Sequence, residues 1–255
     1  MYEYYETCFI IDNNSKYFLI DTGGSNDIVN ILSKKNISLS DIHDIFISHT
    51  HTDHILGLFW LLKKFSMMHL HGKYSSLNVY CNDEVARAIK DIYKHLYPIE
   101  LVKHIDELLN IIIVKDNETL NICDMNYTFF DAKAKANKLY GFETTFNNGE
   151  TLVFLGDETL NEKLYDRIKN KDYVMHEAFC LDSEADKYKP YEKNHSTVKS
   201  VCNNFKDLNI KNLILYHTLD NNKEKRKELY LKEAKKYYNG NVLVPDDLDT
   251  IKMGE

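Results

Sequence analysis

The chain has 255 residues, of which 44% are hydrophobic and 28% are charged, an ordinary composition for a globular protein with a sizeable core. Its net charge of −7 argues against a broad electrostatic surface for nucleic acid. The acidic, aromatic start does not resemble a signal peptide, and the longest apolar run, residues 55–62, is too short to cross a bilayer. Five scattered cysteines without a CxxC pair fit reduced thiols. These features predict a soluble, cytoplasmic protein that does not enter a membrane.

Strand and helix patterns alternate along the chain. Two hairpins are predicted where β-rich runs flank turn residues, at 8–12 with 16–21 and at 143–146 with 151–155. The other predicted strands are 44–47, 77–81, 110–114, 119–122, 127–130, 173–177, 212–216 and 241–244. The predicted helices are 55–65, apolar on nearly every face and hence buried, 83–96, ended by Pro98, and 159–170, 196–207 and 223–237. Because no linker-like stretch divides them, we predict one α/β domain over residues 1–255, with two mixed sheets covered by helices.

A cluster of potential metal ligands follows the predicted strand 44–47. It consists of His49, His51, Asp53 and His54 in an HxHxDH run. Only 11 histidines occur in the chain, so three in one turn by chance would be improbable. A polar loop that is merely rich in histidine is the alternative. Imidazole is the commonest metal ligand, and a tight turn brings alternate ligands onto one ion. The run therefore predicts a metal site.

Further motifs accompany this run in a fixed order along the chain. They are Asp21-Thr22-Gly23-Gly24, Phe154-Leu155-Gly156-Asp157, His176-Glu177-Ala178-Phe179, Asn194-His195-Ser196-Thr197 and Leu215-Tyr216-His217. In this order the motifs resemble the metallo-β-lactamase superfamily, and the third and fourth resemble its ribonuclease Z branch. The resemblance extends to residue 253, where 244–247 and 250–252 resemble the closing hairpin of the fold. It implies a four-layer αββα sandwich.

The resemblance also assigns roles to residues of this chain. It implies six metal ligands, namely His49, His51, Asp53, His54, Asp157 and His217. His49 and His51 would hold the first metal. Asp53, His54 and His217 would hold the second, and Asp157 would bridge both. The cofactor would be one or two Zn²⁺ ions, with Mn²⁺ and Fe²⁺ as alternatives.

The catalytic residues implied are Asp53, Glu177 and His195, with Glu177 orienting the imidazole that protonates the leaving group. Asp21 would support the ligand loop. Taken singly, Asp157 could be a turn residue and His217 a structural histidine. His195 could simply precede a helix N-cap at Ser196 and Thr197.

The sequence departs from the family pattern at the third histidine of the first metal. No histidine occurs from residue 105 to residue 175, and the equivalent position falls at Lys133 or Lys135. A protonated lysine cannot bind a cation. The first metal site is therefore one ligand short. Water or substrate could fill the position, the site could be empty, or the lysine could meet an anionic substrate.

A second departure concerns the substrate. Ribonuclease Z enzymes carry a long arm that grips transfer RNA, whereas here only the compact hairpin at 143–155 fills the interval. The missing arm and the acidic chain argue against transfer RNA and favour a small-molecule or short nucleotide substrate.

We therefore predict a metal-dependent hydrolase that uses metal-bound hydroxide on a phosphodiester. The alternatives are a thioester or lactone hydrolase and a catalytically weakened sensor domain that binds metal or nucleotide. A homodimer is left open. The histidines outside the motifs are expected to be surface or packing residues: His43, His69, His71, His95 and His104. His69-Leu70-His71 repeats the HxH spacing but is set aside because no acid follows it.

Overall fold

The computed structural model describes residues 4–5, 7–135 and 137–254, which form two compact units. The N-terminal unit contains residues 7–125. The C-terminal unit contains residues 126–254 together with Tyr4 and Tyr5. That the two units form one domain stays a prediction. Within the described residues, no helix is both long and apolar enough to cross a membrane.

The N-terminal unit is built on a five-stranded sheet. Its elements are β1 (Phe9–Asn13), β2 (Lys16–Ile20), α1 (Asp27–Lys34), β3 (Ile42–Ile47), α2 (Thr52–Leu70), β4 (Leu77–Cys81), α3 (Asp83–Leu96), α4 (Ile99–Leu108), β5 (Leu109–Ile113) and β6 (Thr119–Ile122). The sheet order is β1-β2-β3-β4-β5. The first pair is antiparallel and the others are parallel. Parallel neighbours bring the residues after β2 and β3 to one edge of the sheet.

The first predicted hairpin is confirmed. Phe9 pairs with Ile20 and Asn13 with Lys16, so β1 and β2 are joined by Asn14 and Ser15. Both turn residues have positive φ, 53° and 66°, as a two-residue hairpin turn requires.

Helix α2 differs from its prediction in length and exposure. It runs from Thr52 to Leu70 rather than over 55–65, so Asp53 and His54 lie in its first turn. One face is buried, whereas Trp60 and Leu70 are about half exposed. The prediction of burial on nearly every face is therefore wrong.

Two helices of this unit are absent from the prediction. In α1 the buried residues Ile28 and Leu32 are four positions apart, a pattern too short to stand out in the sequence. Helix α4 begins after Pro98, which occupies its N-cap position as well as ending the region of α3. The stop at Pro98 is correct, but it is also the start of the next helix. Helix α4 packs against α2.

The C-terminal unit contains a second mixed sheet. Its elements are β7 (Met125–Asp131), β8 (Tyr140–Thr145), β9 (Thr151–Phe154), α5 (Tyr165–Ile168), β10 (Tyr173–Glu177), α6 (Ala185–Tyr188), α7 (Val198–Phe205), β11 (Asn212–Tyr216), α8 (Arg226–Ala234) and β12 (Asn241–Leu243). The strands lie in the order β12-β11-β10-β9-β8-β7. β7, β8 and β9 are antiparallel neighbours, and β9 to β12 are parallel. The second predicted hairpin, now β8 and β9, is confirmed, as is the α/β class with two mixed sheets.

Two predicted elements of this unit are wrong. Instead of a helix over 159–170 there is a short 3-10 turn at 162–164 followed by α5. Thr159 is held in a loop because its N–H and hydroxyl both donate to the Asn194 carbonyl at 2.9 Å. Within described residues 244–254 no strand forms, so the closing hairpin is also missing. The Arg226 guanidinium instead donates to the Pro245 carbonyl at 2.7 Å, so the backbone of this segment bonds to a side chain rather than to a neighbouring strand.

The start of the chain is tied to the C-terminal unit. The Tyr4 hydroxyl donates to the Lys223 carbonyl at 3.3 Å, and the Arg226 guanidinium lies 4.4 Å from the centre of the Tyr4 ring. The Tyr5 N–H donates to the Asp247 carboxylate at 2.7 Å. These contacts explain why two residues from the start belong to this unit.

Gly57 lets α2 approach the loop after β2. A Cβ at this position would lie 1.9 Å from the Thr22 carbonyl oxygen, and the Gly57 N–H donates to the Gly23 carbonyl at 2.8 Å. We expect Gly57→Ala to lower the free energy of unfolding by about 1–3 kcal/mol, because the helix must move away from the loop. Lys64→Ala on the exposed face of α2 is the control. Denaturant unfolding checks the prediction, and equal stability of the two variants would contradict it.

Candidate metal centre

The Asp21 carboxylate holds the turn that carries the HxHxDH run through hydrogen bonds. It directly follows β2, is fully buried, and has a φ of 53°. One carboxylate oxygen accepts the Ser48 N–H at 2.8 Å, and the other accepts the Ser48 hydroxyl at 2.7 Å. The second oxygen also lies 2.8 Å from Nδ1 of His54. These donors compensate the charge of the buried carboxylate and fix its position.

The three histidines of the HxHxDH run lie together. The His49 ring centre is 4.5 Å from that of His51 and 4.2 Å from that of His54. His49 and His54 are buried, whereas His51 is exposed at the N-cap position of α2. Strand β3 ends just before the run and α2 begins inside it, so the turn between them holds all three rings close.

Hydrogen bonds direct the ligating atoms of this group. A carboxylate can only accept, so His54 donates from Nδ1 to Asp21 and its Nε2 carries the lone pair. That Nε2 is 3.5 Å from a carboxylate oxygen of Asp53. His49 Nδ1 lies 3.0 Å from the Ser48 hydroxyl, and because that hydroxyl donates to Asp21, Nδ1 carries the hydrogen and Nε2 the lone pair. Imidazole Nε2 atoms positioned in this way beside a carboxylate fit a divalent transition metal.

In the C-terminal unit, Asp157 and His217 follow two parallel strands at the same edge of the sheet. Asp157 comes after β9 and His217 directly follows β11, with β10 between them. His217 Nε2 lies 3.4 Å from an Asp157 carboxylate oxygen. His217 has a φ of 50°, a conformation that costs energy in a residue other than glycine and is concentrated at functional sites.

His195 and Glu177 form a second arrangement beside His217. The His195 ring stacks on His217 at 5.3 Å and on Phe179 at 4.8 Å between ring centres. Its Nδ1 lies 3.8 Å from a carboxylate oxygen of Glu177. Two stacked neighbours fix the plane of the imidazole, and Nδ1 faces the carboxylate.

Glu177 is fully buried at the end of β10. Its carboxylate accepts the N–H groups of Ser196 at 2.6 Å and Phe179 at 2.9 Å. Burial nevertheless raises the pKa of Glu177 well above its usual value. The strand-end motif and the loop before α7 are thus joined through one carboxyl group.

The capping alternative for His195 is also realised in the structure. The Thr197 hydroxyl accepts the Ser200 N–H at the start of α7, so this stretch caps a helix. His195 precedes that cap and still faces Glu177, so the two interpretations are compatible.

His176, which opens the same motif, lies in a different environment. It is buried, its Nδ1 is 2.6 Å from the Glu177 carbonyl, and its ring packs edge-on against Phe205. Burial lowers its pKa to about 4. His176 is therefore a neutral packing residue.

The two candidate positions for the missing histidine lie in the loop after β7. Lys133 has a φ of 58°, and its amine lies 3.0 Å from the Asp131 carboxylate. The Lys133 N–H donates to the same carboxylate at 2.8 Å. Lys135 is exposed, and its N–H donates to Glu158. The Lys133 ammonium is thus engaged by a neighbouring acid.

Sequence reasoning missed three residues that support these groups. Ser48 connects Asp21 with His49, and the Asn82 amide donates to the Ser48 carbonyl at 3.2 Å while its oxygen caps α3. Phe179 both stacks on His195 and donates to Glu177. Ser48 and Phe179 lie inside or beside the motifs, which was the available signal. Asn82 had only its position after a strand.

The fold is shared with known proteins. The chain is 24% identical to ribonuclease Z of Archaeoglobus fulgidus, over 81% of this chain and 79% of that protein. It superposes on the metallo-β-lactamase fold protein YhfI of Bacillus subtilis with a TM-score of 0.74 and 18% identity, over 95% and 90% of the two chains. It superposes on a diphosphatase of the PhnP family with a TM-score of 0.70 and 17% identity, over 95% of this chain and 82% of that chain.

These likenesses define the class: a metallo-hydrolase of the metallo-β-lactamase superfamily, similar to ribonuclease Z. Within it, the model of the family described as anti-Pycsar protein Apyc1 matches residues 1–238. The chain belongs to this family.

The hydrogen bond from His54 to Asp21 provides a test of the N-terminal ligand group. In Asp21→Asn one acceptor becomes an N–H donor, so we expect metal affinity to fall about 10–100-fold. Asp12→Asn is the control, because Asp12 is exposed and its carboxylate accepts the Ser15 N–H at 2.8 Å in the hairpin turn between β1 and β2. Competition with a chromophoric chelator measures the affinity, and an unchanged value in Asp21→Asn would contradict this role.

Proposed function

We propose that the protein is a zinc-dependent phosphodiesterase that acts on a small molecule or a short nucleotide. The observation that carries the proposal is the His195–Glu177 arrangement, because a carboxylate-oriented imidazole is a general acid suited to an alkoxide leaving group. The relatives named ribonuclease Z and diphosphatase, both of which cleave bonds to phosphorus, support it.

The proposed ligands are the six residues of the two groups described above. One metal would be held by His49, His51 and Asp157, and the other by Asp53, His54, Asp157 and His217. Imidazole and carboxylate donors match Zn²⁺, and Mn²⁺ or Fe²⁺ would accept the same set. When bound, such ions act as Lewis acids that polarise phosphoryl oxygens and lower the pKa of water. Asp53 serves in this proposal as both ligand and catalytic residue.

The residues of the chain supply positioning and proton transfer. A carboxylate oxygen of Glu177 lies 3.8 Å from Nδ1 of His195, so Nε2 would be the atom that delivers a proton to the departing oxygen. The His195 ring stacks on both Phe179 and His217, and these two contacts keep it from turning. A fixed donor avoids the entropy cost of placing an acid at the leaving group.

Leaving-group dependence tests the role of His195. We expect His195→Ala to lower kcat on a dinucleotide by about 10²–10⁴-fold, since an alkoxide needs a proton as it leaves. The loss should be much smaller with bis-p-nitrophenyl phosphate, whose phenolate leaves without protonation. His95→Ala, an exposed histidine on α3, is the control.

Equal losses on both phosphodiesters would contradict the general-acid role. A thioester, a lactone and a transfer-RNA precursor complete the substrate panel. Turnover of the thioester or lactone alone would favour the alternative hydrolases. No turnover of any substrate at saturating Zn²⁺ or Mn²⁺ would favour the sensor.

Metal content tests the incomplete first site. We expect the wild type to hold about one to two equivalents more zinc than Asp157→Ala, which lacks the carboxylate assigned to both proposed metals. Lys133→His or Lys135→His should raise this difference towards two if that residue occupies the missing ligand position. Lys163→His, at an exposed position in the same unit, is the control.

Elemental analysis after dialysis against zinc measures these values. A difference near zero between the wild type and Asp157→Ala would overturn the metal centre. If neither lysine variant gains metal, the missing ligand has been placed at the wrong position.

A further inference from the structure

Three potential metal ligands lie together at the far end of α2, away in sequence from the HxHxDH run. His69 is in the last turn of α2, and His104 and Glu107 are three positions apart on α4. Residues three apart share one face of a helix, and α4 packs against α2. One ligand atom from each side chain lies within 4.8 Å of the other two.

The two distances to the Glu107 carboxylate match the spacing of ligands around a tetrahedral ion. A single oxygen of Glu107 lies 3.4 Å from Nε2 of His69 and 3.3 Å from Nδ1 of His104. Two nitrogen or oxygen ligands about 2.0–2.1 Å from a tetrahedral ion are roughly 3.3 Å apart. The group therefore has ligand spacing that needs little rearrangement.

A hydrogen bond places a hydrogen on Nδ1 of His69. Its Nδ1 lies 2.8 Å from the Tyr74 carbonyl, which can only accept, so Nδ1 carries the hydrogen. In the neutral ring, Nε2 then presents its lone pair towards the Glu107 oxygen. Two lone pairs at this distance repel each other unless a proton or a metal ion lies between them. A carbonyl behind a ligating histidine is the usual supporting arrangement in metal sites.

The supporting carbonyl is itself held firmly. Tyr74 is buried, its ring stacks on Phe65 and on His43 with centres 4.5 and 4.9 Å away, and its hydroxyl donates to the Ile42 carbonyl. His43 thus packs against Tyr74, in agreement with its prediction as a surface or packing residue. Because Tyr74 cannot move freely, the orientation of His69 is set by the core of the N-terminal unit.

We propose that His69, His104 and Glu107 form a separate binding site for a divalent transition-metal ion, best matched by zinc. Two imidazoles and a carboxylate suit Zn²⁺ and disfavour Ca²⁺ and Mg²⁺, which take oxygen ligands. The two histidine side chains are about one quarter exposed and that of Glu107 is 61% exposed, so water can complete the coordination. The bound ion links the end of α2 to α4.

Zinc content and heat stability of the full-length protein test this site. We expect His104→Ala to lose one equivalent of zinc and part of the increase in Tm that zinc gives the wild type. His71→Ala is the matched control, since His71 is exposed next to the end of α2 and outside the group. His104→Cys should retain the equivalent, because a thiolate is also a zinc ligand. Activity on phosphodiesters should be the same in all three variants.

The outcome is separable from that of the main centre. Asp157→Ala should keep this equivalent, and His104→Ala should keep the metal that Asp157→Ala loses. Equal zinc content and equal Tm increase in His104→Ala and His71→Ala would overturn the proposal. The three side chains would then be joined by a shared proton in an ordinary ion pair.

Discussion

The hydrogen bonds of the Asp21 carboxylate are the constraint on which the N-terminal ligand group depends. Without the Asp21 carboxylate, the Ser48 N–H in the loop after β3 would lose this acceptor, and so would Nδ1 of His54. Burying a charge is costly unless donors surround it, and removing one side of such an arrangement leaves the other uncompensated. The same carboxylate therefore shapes the loop and selects the tautomer of a proposed ligand.

The C-terminal unit reaches a similar result by a different route. Its proposed ligands come from the ends of parallel strands, so backbone pairing rather than a buried acid sets their spacing. Local conformation completes the placement: Gly156 has a φ of 81°, and a Cβ there would lie 2.4 Å from the Leu139 side chain. Only glycine allows this turn before Asp157 without moving Leu139.

The elements that the sequence predicted well are those whose signal is local. The strands β10 and β11 are short and contain buried apolar residues at 174–175 and 213–215, and both lie at their predicted residues. The helix predicted over 159–170 failed because Thr159 bonds to Asn194, a partner 35 residues away. Tertiary contacts of this kind override helix propensity and leave no trace in a sequence window.

The candidate site divides in the same way. The proposed ligands His49, His54 and Asp157 were suggested by the order of the motifs along the chain. The support from Asn82 and the grouping of His69 with Glu107 depend on which helices and strands pack together. No spacing rule connects a histidine at the end of one helix with a histidine and a glutamate on another, so these required the structure.

The contacts of Tyr4 and Tyr5 have a consequence for the order of folding. Their partners Lys223 and Asp247 are 219 and 242 residues further along the chain. During synthesis, the first residues must therefore wait for almost the whole polypeptide, whereas residues 7–125 have their sheet partners at hand much earlier. Closing so long a loop is slow relative to local pairing. The start of the chain is made first and is among the last parts to reach its native contacts.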